Sequence, residues 1–274
     1  MPDTKSAALL RTATIIAPMP GLVAITRAVS PALGACELTH LARVPIDIAR
    51  ARAQHQAYET ALIDAGCLVE RLDTSPDLPD SVFIEDTAIV VDEVAIITRP
   101  GAESRRRETA AVADALASYR PLHVIQPPGI VDGGDVLVVG QRVFVGRSSR
   151  TNESAISQIR QVLTPFGYVV VDTVVRGCLH LKSAVTALAD DLLLANRDWI
   201  SPAAFDGFTL VDVDASEPHA ANALRIGSRI IVSASYPRTA ERIAKLGLDT
   251  HLIEASELQK AEGAVTCCSV IVAE

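Results

Sequence analysis

Apolar and polar positions alternate along the chain in short blocks, and one block pattern recurs. It consists of a polar residue, an apolar β-branched run, a break of two or three hydrophilic or small residues, and a second apolar run. The pattern is read in Asp86-TAIVV-DE-VAIIT, Asp135-VLVVG-QR-VFVG, Lys182-SAVTAL-ADD-LLLAN and Asn222-ALRI-GS-RIIVS. Runs this short around so tight a break predict antiparallel hairpins. A fifth copy opens at Cys267 and continues as CSVIVAE, without a second run after it. The copies start at 86, 135, 182, 222 and 267, and such a period is that of one supersecondary unit per copy.

Helical spacing follows most of the hairpins. Arg105–Tyr119 carries Ala111, Val112, Ala115 and Leu116 at helical offsets, and Thr151–Phe166 carries Ala155, Ile156, Ile159, Val162 and Leu163 behind a Thr-Asn start that can cap it. Pro237–Leu246 has proline at its start and Gly247 at its end, the expected polarity of a helix. The third copy is weaker, because Trp199–Leu210 shows little period. Near the N-terminus Thr12–Met19 reads as a lone apolar strand and Pro45–Ala65 as a long helix stopped by Gly66.

The unpaired head strand and the unpaired tail strand together complete one unit. Closing a ring in this way hides sheet edges and leaves no open terminal repeat. The sequence therefore predicts an α/β fold: a five-bladed α/β propeller of ββαβ units, a single domain over residues 1–274, with residues 1–11 as a tail. In such a ring the polar residues that open the copies, Asp86, Asp135, Lys182, Asn222 and Cys267, converge near the axis. Charged and reactive groups gathered there are costly unless they pair with each other or with a ligand.

Composition narrows the function classes. At 49% hydrophobic and 21% charged the chain excludes disorder, collagen and coiled coil. A formal charge of −8 repels phosphate backbones, which argues against a nucleic-acid partner and leaves room for a small cation. The N-terminal residues lack the pattern of a secretory signal and no apolar stretch reaches spanning length, so a cytoplasmic protein with no membrane partner is expected. Five cysteines, Cys36, Cys67, Cys178, Cys267 and Cys268, fit reduced thiols. With no C-x₂-C pair and no histidines at i,i+4, no structural metal site is expected.

Candidate chemistry sits at the repeat-equivalent positions: Cys267 in GAVTCCSVIV, His180 in CLHLKS, Asp132 and Asp135 in IVDGGDVL, and Asp80, Glu85 and Asp86 in LPDSVFIED. A thiolate is a nucleophile, an imidazole moves protons near neutral pH, and a carboxylate can hold that imidazole in place. Each residue also has a structural reading: a cysteine in an apolar strand as a small hydrophobe, a histidine between leucines as a core residue, Asp-Gly-Gly as a turn. Their coincidence at equivalent loci favours a Cys-His-Asp set. No dinucleotide fingerprint or P-loop is present.

The motifs LPDSVFIEDTAIV, ITRPGAESRR, VDGGDVL, VFVGRSSRTN, LHLKS and TCCSV, in this order from about residue 12 to the C-terminus, resemble the dimethylarginine dimethylaminohydrolase family of the guanidino-group-modifying (pentein) superfamily. The resemblance implies the same five-bladed α/β propeller. It implies Cys267 as nucleophile, His180 as general acid/base and Asp132 as the residue that orients His180. It also implies Asp80 and Asp86, with Glu85 nearby, as binders of the guanidinium. Arg105 and Arg150 would clamp the substrate carboxylate, a task suited to a planar guanidinium. Leu38 falls where the family keeps a lid leucine. Glu262 stands where vertebrate-type members carry aspartate, one methylene shorter, at the end of the site that receives the α-amino group.

The implied reaction is hydrolysis of Nω-methylated arginines to citrulline through an S-alkylthiouronium on Cys267, with no metal or cofactor. The small-molecule partner would be a methylated arginine, and the oligomeric state, monomer or homodimer, stays open. An arginine deiminase or an amidinotransferase would use the same Cys-His-carboxylate core. A non-catalytic arginine-binding protein would keep Arg105, Arg150 and the aspartates while tolerating loss of Cys267.

Overall fold

The computed structural model describes residues 21–274. They form five sheets of three strands each, and every sheet repeats one plan. Two strands pair antiparallel, in four of the sheets across a short connection, the chain then crosses through a helical segment, and a third strand returns parallel to the second. The first blade holds Ala88–Val90, Ala95–Ile97 and Leu122–Val124. The second holds Val136–Val139, Arg142–Arg147 and Val169–Val174. The third holds Val185–Ala187, Leu192–Ala195 and Thr209–Asp212. The fourth holds Ala223–Ile226, Arg229–Ser233 and Asp249–Ile253. The α/β fold is a five-bladed propeller, as the repeat implied.

The fifth blade joins the two ends of the chain. Val270–Ala273 pairs antiparallel with Leu22–Arg27, which in turn pairs parallel with Cys67–Leu72. The closing strand is thus Leu22–Arg27, and the expected strand at Thr12–Met19 and the tail 1–11 lie outside the described residues. Both segments are β-branched and apolar, so local pattern alone does not choose between them. The choice is made by tertiary pairing with the last strand.

The crossover helices follow the sequence expectation closely. Ile48–Asp64 starts behind Asp47, whose carboxylate accepts from Arg50 N–H, and ends before Gly66 at φ +97°. It buries Ala51, Tyr58, Ala61 and Leu62 against its sheet; sheltering a leucine such as Leu62 contributes about 1.5–3 kcal/mol. Tyr58 Oη lies 2.6 Å from Ser269 Oγ, which ties this helix to the chain just after Cys267. Glu153–Leu163 is capped by the Asn152 side chain, and Pro237–Lys245 matches its predicted span. In the third blade the crossover is only two 3₁₀ turns, Arg197–Trp199 and Pro202–Phe205, as the weak period there implies. Among the described residues no helix is long and apolar enough to cross a membrane.

A short helical turn precedes the inner strand of four blades: Ile84–Thr87, Gly133–Asp135, Leu181–Ala184 and Thr266–Cys268. These turns deliver the polar residues of the repeat to the centre of the ring. They place the site.

Candidate active site

Two of the repeat-opening positions, Lys182 and Asn222, meet neighbouring Glu85 and Thr266 in a hydrogen-bond network inside the ring, and a third, Asp135, is held close by. Lys182 Nζ donates to Glu85 Oε1 at 2.7 Å, and Thr266 Oγ1 donates to Glu85 Oε2 at 2.7 Å. Asn222 Nδ2 bonds Thr266 Oγ1 at 2.9 Å and the Lys182 carbonyl at 3.0 Å. Asp135 accepts from Leu181 N–H at 2.9 Å and from the hydroxyls of Ser148 and Thr151. The buried charges expected at the axis are therefore paired, as their desolvation demands.

Beside this network is a cavity lined by Asp80, Phe83, Asp86, His180, Glu262 and Cys267, with Glu37, Arg105, Arg150, Leu179, Ala261 and Gly263 completing its wall. His180 lies between two carboxylates. Its Nε2 is 3.0 Å from Asp132 Oδ2 and its Nδ1 is 3.7 Å from Asp86 Oδ1. Asp132 is fully buried and also accepts from Gly101 N–H at 2.8 Å. The tandem glycines of VDGGD are required by close approach. A Cβ on Gly133 would stand 2.0 Å from the Glu85 carbonyl oxygen, and one on Gly134 would stand 2.6 Å from His180 Nδ1 and 2.8 Å from Asp86 Oδ1.

Electrostatics follow from this packing. Burial by itself lowers the His180 pKa, but the carboxylates of Asp86, Asp132 and Asp135 outweigh it and carry the imidazole up to about 9. His180 is an imidazolium at neutral pH. Burial, followed by the Glu85 and Asp86 carboxylates, pushes the Cys267 thiol well above its ordinary range. Asp86 resists the effect of burial because His180 and Arg105 face it, and its pKa falls to about 2. Burial raises Asp80, with Arg105 opposing.

The remaining expected residues are placed less uniformly. Arg150 lines the cavity, with Nη1 3.5 Å from Asp132 and Nη2 donating to Thr39 Oγ1 at 3.2 Å. Arg105 lines the cavity too, but its guanidinium is engaged by Glu108, by Asp86 and by the Phe83 carbonyl. It braces the aspartate wall, and Arg150 is the less committed of the two arginines. Glu85 does not line this cavity; both its oxygens belong to the Lys182–Thr266 network. Leu38 is half-buried and, like Cys267, packs against the apolar cluster around Cys36, Phe83 and Cys268. Glu262 bonds the segment above the cavity rather than facing it alone.

The structure adds residues the sequence reading passed over. Glu37 gives its N–H to Asp80 and accepts from Ser104 Oγ, and Glu108 anchors Arg105. A lone glutamate in a loop carries no local signal for such a role. Asp86, Asp132 and His180 present potential metal-ligand atoms within 4.8 Å of one another. Asp86 also faces the Arg105 guanidinium and Asp132 that of Arg150.

This constellation can be set against known proteins. The family described as "N,N dimethylarginine dimethylhydrolase, eukaryotic" matches residues 42–265. An N(G),N(G)-dimethylarginine dimethylaminohydrolase of Streptomyces coelicolor is 42% identical over 254 residues, which is 92% of this chain and 97% of that protein. The chain belongs to the dimethylarginine dimethylaminohydrolase family. Membership places it in the pentein superfamily and among hydrolases of carbon–nitrogen bonds. A dimethylarginine dimethylaminohydrolase of Pseudomonas aeruginosa, a cysteine-to-serine mutant complexed with citrulline, superposes with a TM-score of 0.87 at 34% identity, over 92% of this chain and 99% of that one. A histidine-to-glycine family structure, an adduct with S-methyl-L-thiocitrulline, superposes with a TM-score of 0.86 at 34% identity, over 91% and 98%. The N-terminal domain of the arginine dihydrolase ArgZ, at 16% identity and a TM-score of 0.78 over 92% and 98%, shares the fold.

Proposed function

We propose that the chain hydrolyses Nω-methylated arginines, asymmetric dimethylarginine and monomethylarginine, to citrulline plus dimethylamine or methylamine. The observation that carries this reading is the cavity itself, where Cys267 and a carboxylate-held His180 share one recess with Asp80 and Asp86. Paired acidic groups suit a planar, delocalised cation, and a nucleophile beside them is positioned for its central carbon.

At rest Cys267 is a thiol, held so by burial and by Glu85 and Asp86. A guanidinium docked against Asp80 and Asp86 neutralises part of that negative field and favours loss of the thiol proton to solvent as the substrate binds. The thiolate adds to the guanidinium carbon and a C–S bond forms. His180, already protonated, gives its proton to the methylated nitrogen, the C–N bond breaks and the amine leaves. What stays on Cys267 is an S-alkylthiouronium. The now neutral His180 takes a proton from water, the hydroxide adds to the same carbon, and the C–S bond breaks as the hydroxyl proton passes to the departing sulfur, which restores the Cys267 thiol and releases citrulline, while the freed amine takes up a proton from solvent. Asp132 holds the imidazole and stabilises its charged form throughout. Arg150, facing the lid side of the cavity, meets the substrate carboxylate.

Incubation with asymmetric dimethylarginine, monomethylarginine and arginine, with citrulline and released amine quantified, tests the proposal. Equimolar citrulline and methylamines are expected from the methylated substrates. Conversion of arginine without conversion of the methylated forms would overturn it in favour of a deiminase.

A further inference from the structure

Glu262 occupies the left-handed region, with φ +58°, the one non-glycine residue with positive φ among the described residues. Side chains of L-residues avoid that conformation unless surrounding structure imposes it. The next residue, Gly263, lies so close to Phe83 that a Cβ would stand 2.0 Å from the ring, so the chain is held tightly against the core at this turn.

Its carboxylate is cradled by three successive amides. Thr39 N–H bonds both oxygens at 3.0 Å, while His40 N–H and Leu41 N–H bond Oε1 at 2.5 and 2.6 Å. Successive backbone N–H groups converging on one anion form a nest, and such charge-assisted bonds are strong ones. The segment 36–43 that supplies them contains no strand or helix and is largely exposed. Cys36 and Leu38 pack on the apolar core, but residues 39–43 are exposed, so the position of that stretch depends on polar ties. At one end Glu37 N–H bonds Asp80, in the middle Thr39 Oγ1 accepts from Arg150, and beyond it lies the nest on Glu262. The ties run from one wall of the catalytic cavity to the other. Glu262, Gly263 and Leu179 also line a second cavity that includes His40 and Leu41, so the same side chain is part of the partition between the two spaces.

We propose that Glu262 is a positioning residue: it latches segment 36–43 over the catalytic cavity, closing it to solvent and to the neighbouring cavity, through a nest of three backbone amides. The inference rests on the proposed function only in taking that cavity as the reaction site. A glutamate spans the distance to the nest, whereas an aspartate, one methylene shorter, keeps its charge but meets the amides only if the segment shifts toward it.

The test uses the full chain without substrate and compares wild type, Glu262→Gln and Glu262→Asp by amide hydrogen exchange and by the rate of iodoacetamide alkylation at Cys267. Exchange at residues 39–41 is expected to rise about tenfold or more in Glu262→Gln, with a smaller rise in Glu262→Asp, while the five sheets keep their protection. Alkylation of Cys267 rises several-fold in parallel, and in turnover KM increases more than kcat falls. Unchanged exchange at 39–41 overturns the latch. Faster exchange with unchanged alkylation overturns the claim that the latched segment closes the cavity. Exchange and alkylation, which decide the latch, require no substrate, so both stand apart from the product assay that decides the proposed function.

Discussion

Replacing Asp132 with asparagine removes one charge from a fully buried position and reverses one hydrogen bond. The asparagine oxygen can keep the Gly101 N–H, and its NH₂ group then faces His180 Nε2, where a protonated imidazole also needs to donate. A hydrogen bond to a charged group contributes about 1.5–3 kcal/mol, equivalent to roughly 1–2 pKa units. The His180 pKa should therefore drop from about 9 to roughly 7–8. At pH 8.5 the protonated fraction would fall from about three-quarters to roughly one-tenth, and amine expulsion would slow with it. The assay is the pH profile of kcat/KM between about pH 6 and 10, with imidazole NMR on the same samples.

The same shift has a stability signature whose sign is fixed. A histidine raised from 6.5 unfolded to about 9 folded stabilises the native chain in full below pH 6.5, and that contribution disappears as pH rises through about 9. In Asp132→Asn the decline across this window should be shallower and earlier. A basic limb that stays near pH 9 in the variant would refute the assignment of Asp132 as the group that holds His180 charged.

Three other expectations follow from single contacts. Cys267→Ser should abolish turnover, whereas Cys268→Ser should largely preserve it, since Cys268 is buried with its Sγ toward the Ala264 carbonyl; equal loss in a steady-state assay of both would contradict the nucleophile assignment. Gly134→Ala would drive a methyl group into His180 and Asp86, with an activity loss of about 100-fold or more at nearly unchanged secondary structure by circular dichroism. Lys182→Met leaves Glu85 buried without its cation, a change expected to destabilise by roughly 3 kcal/mol in urea denaturation, and Lys182→Arg should recover part of it.

The hairpins were legible because their inner strands are buried, short and β-branched: Ala223–Ile226 and Arg229–Ser233 fall where the apolar runs of ALRI-GS-RIIVS put them. The ring itself was legible from the period of those hairpins and from a tail strand lacking a partner. What the sequence could not assign was that partner, because TATIIA and LVAITR are equivalent as local strand patterns and only pairing in three dimensions separates them. At the site, the meeting of Cys267, His180, Asp80 and Asp86 in one cavity agrees with the motifs that carry them. The division of labour among the acidic and basic groups around them was not readable. Glu85 was grouped with its neighbours in FIED, yet a 3₁₀ turn sends it to Lys182 and Thr266 while Asp86, one residue on, turns toward His180. Arg105 is likewise diverted by Glu108, three residues away on the same turn, a pair whose effect depends on burial.

The central claim is a covalent intermediate on Cys267 formed from a methylated arginine. It is tested most directly by acid quench of a turnover mixture with asymmetric dimethylarginine, followed by peptide mass spectrometry. The peptide containing Cys267 is predicted to carry the substrate's amidine less dimethylamine, to lose it on chase, and to be unmodified at Cys268. Citrulline formation at full rate with no adduct at Cys267, or an adduct confined to another residue, would contradict the account.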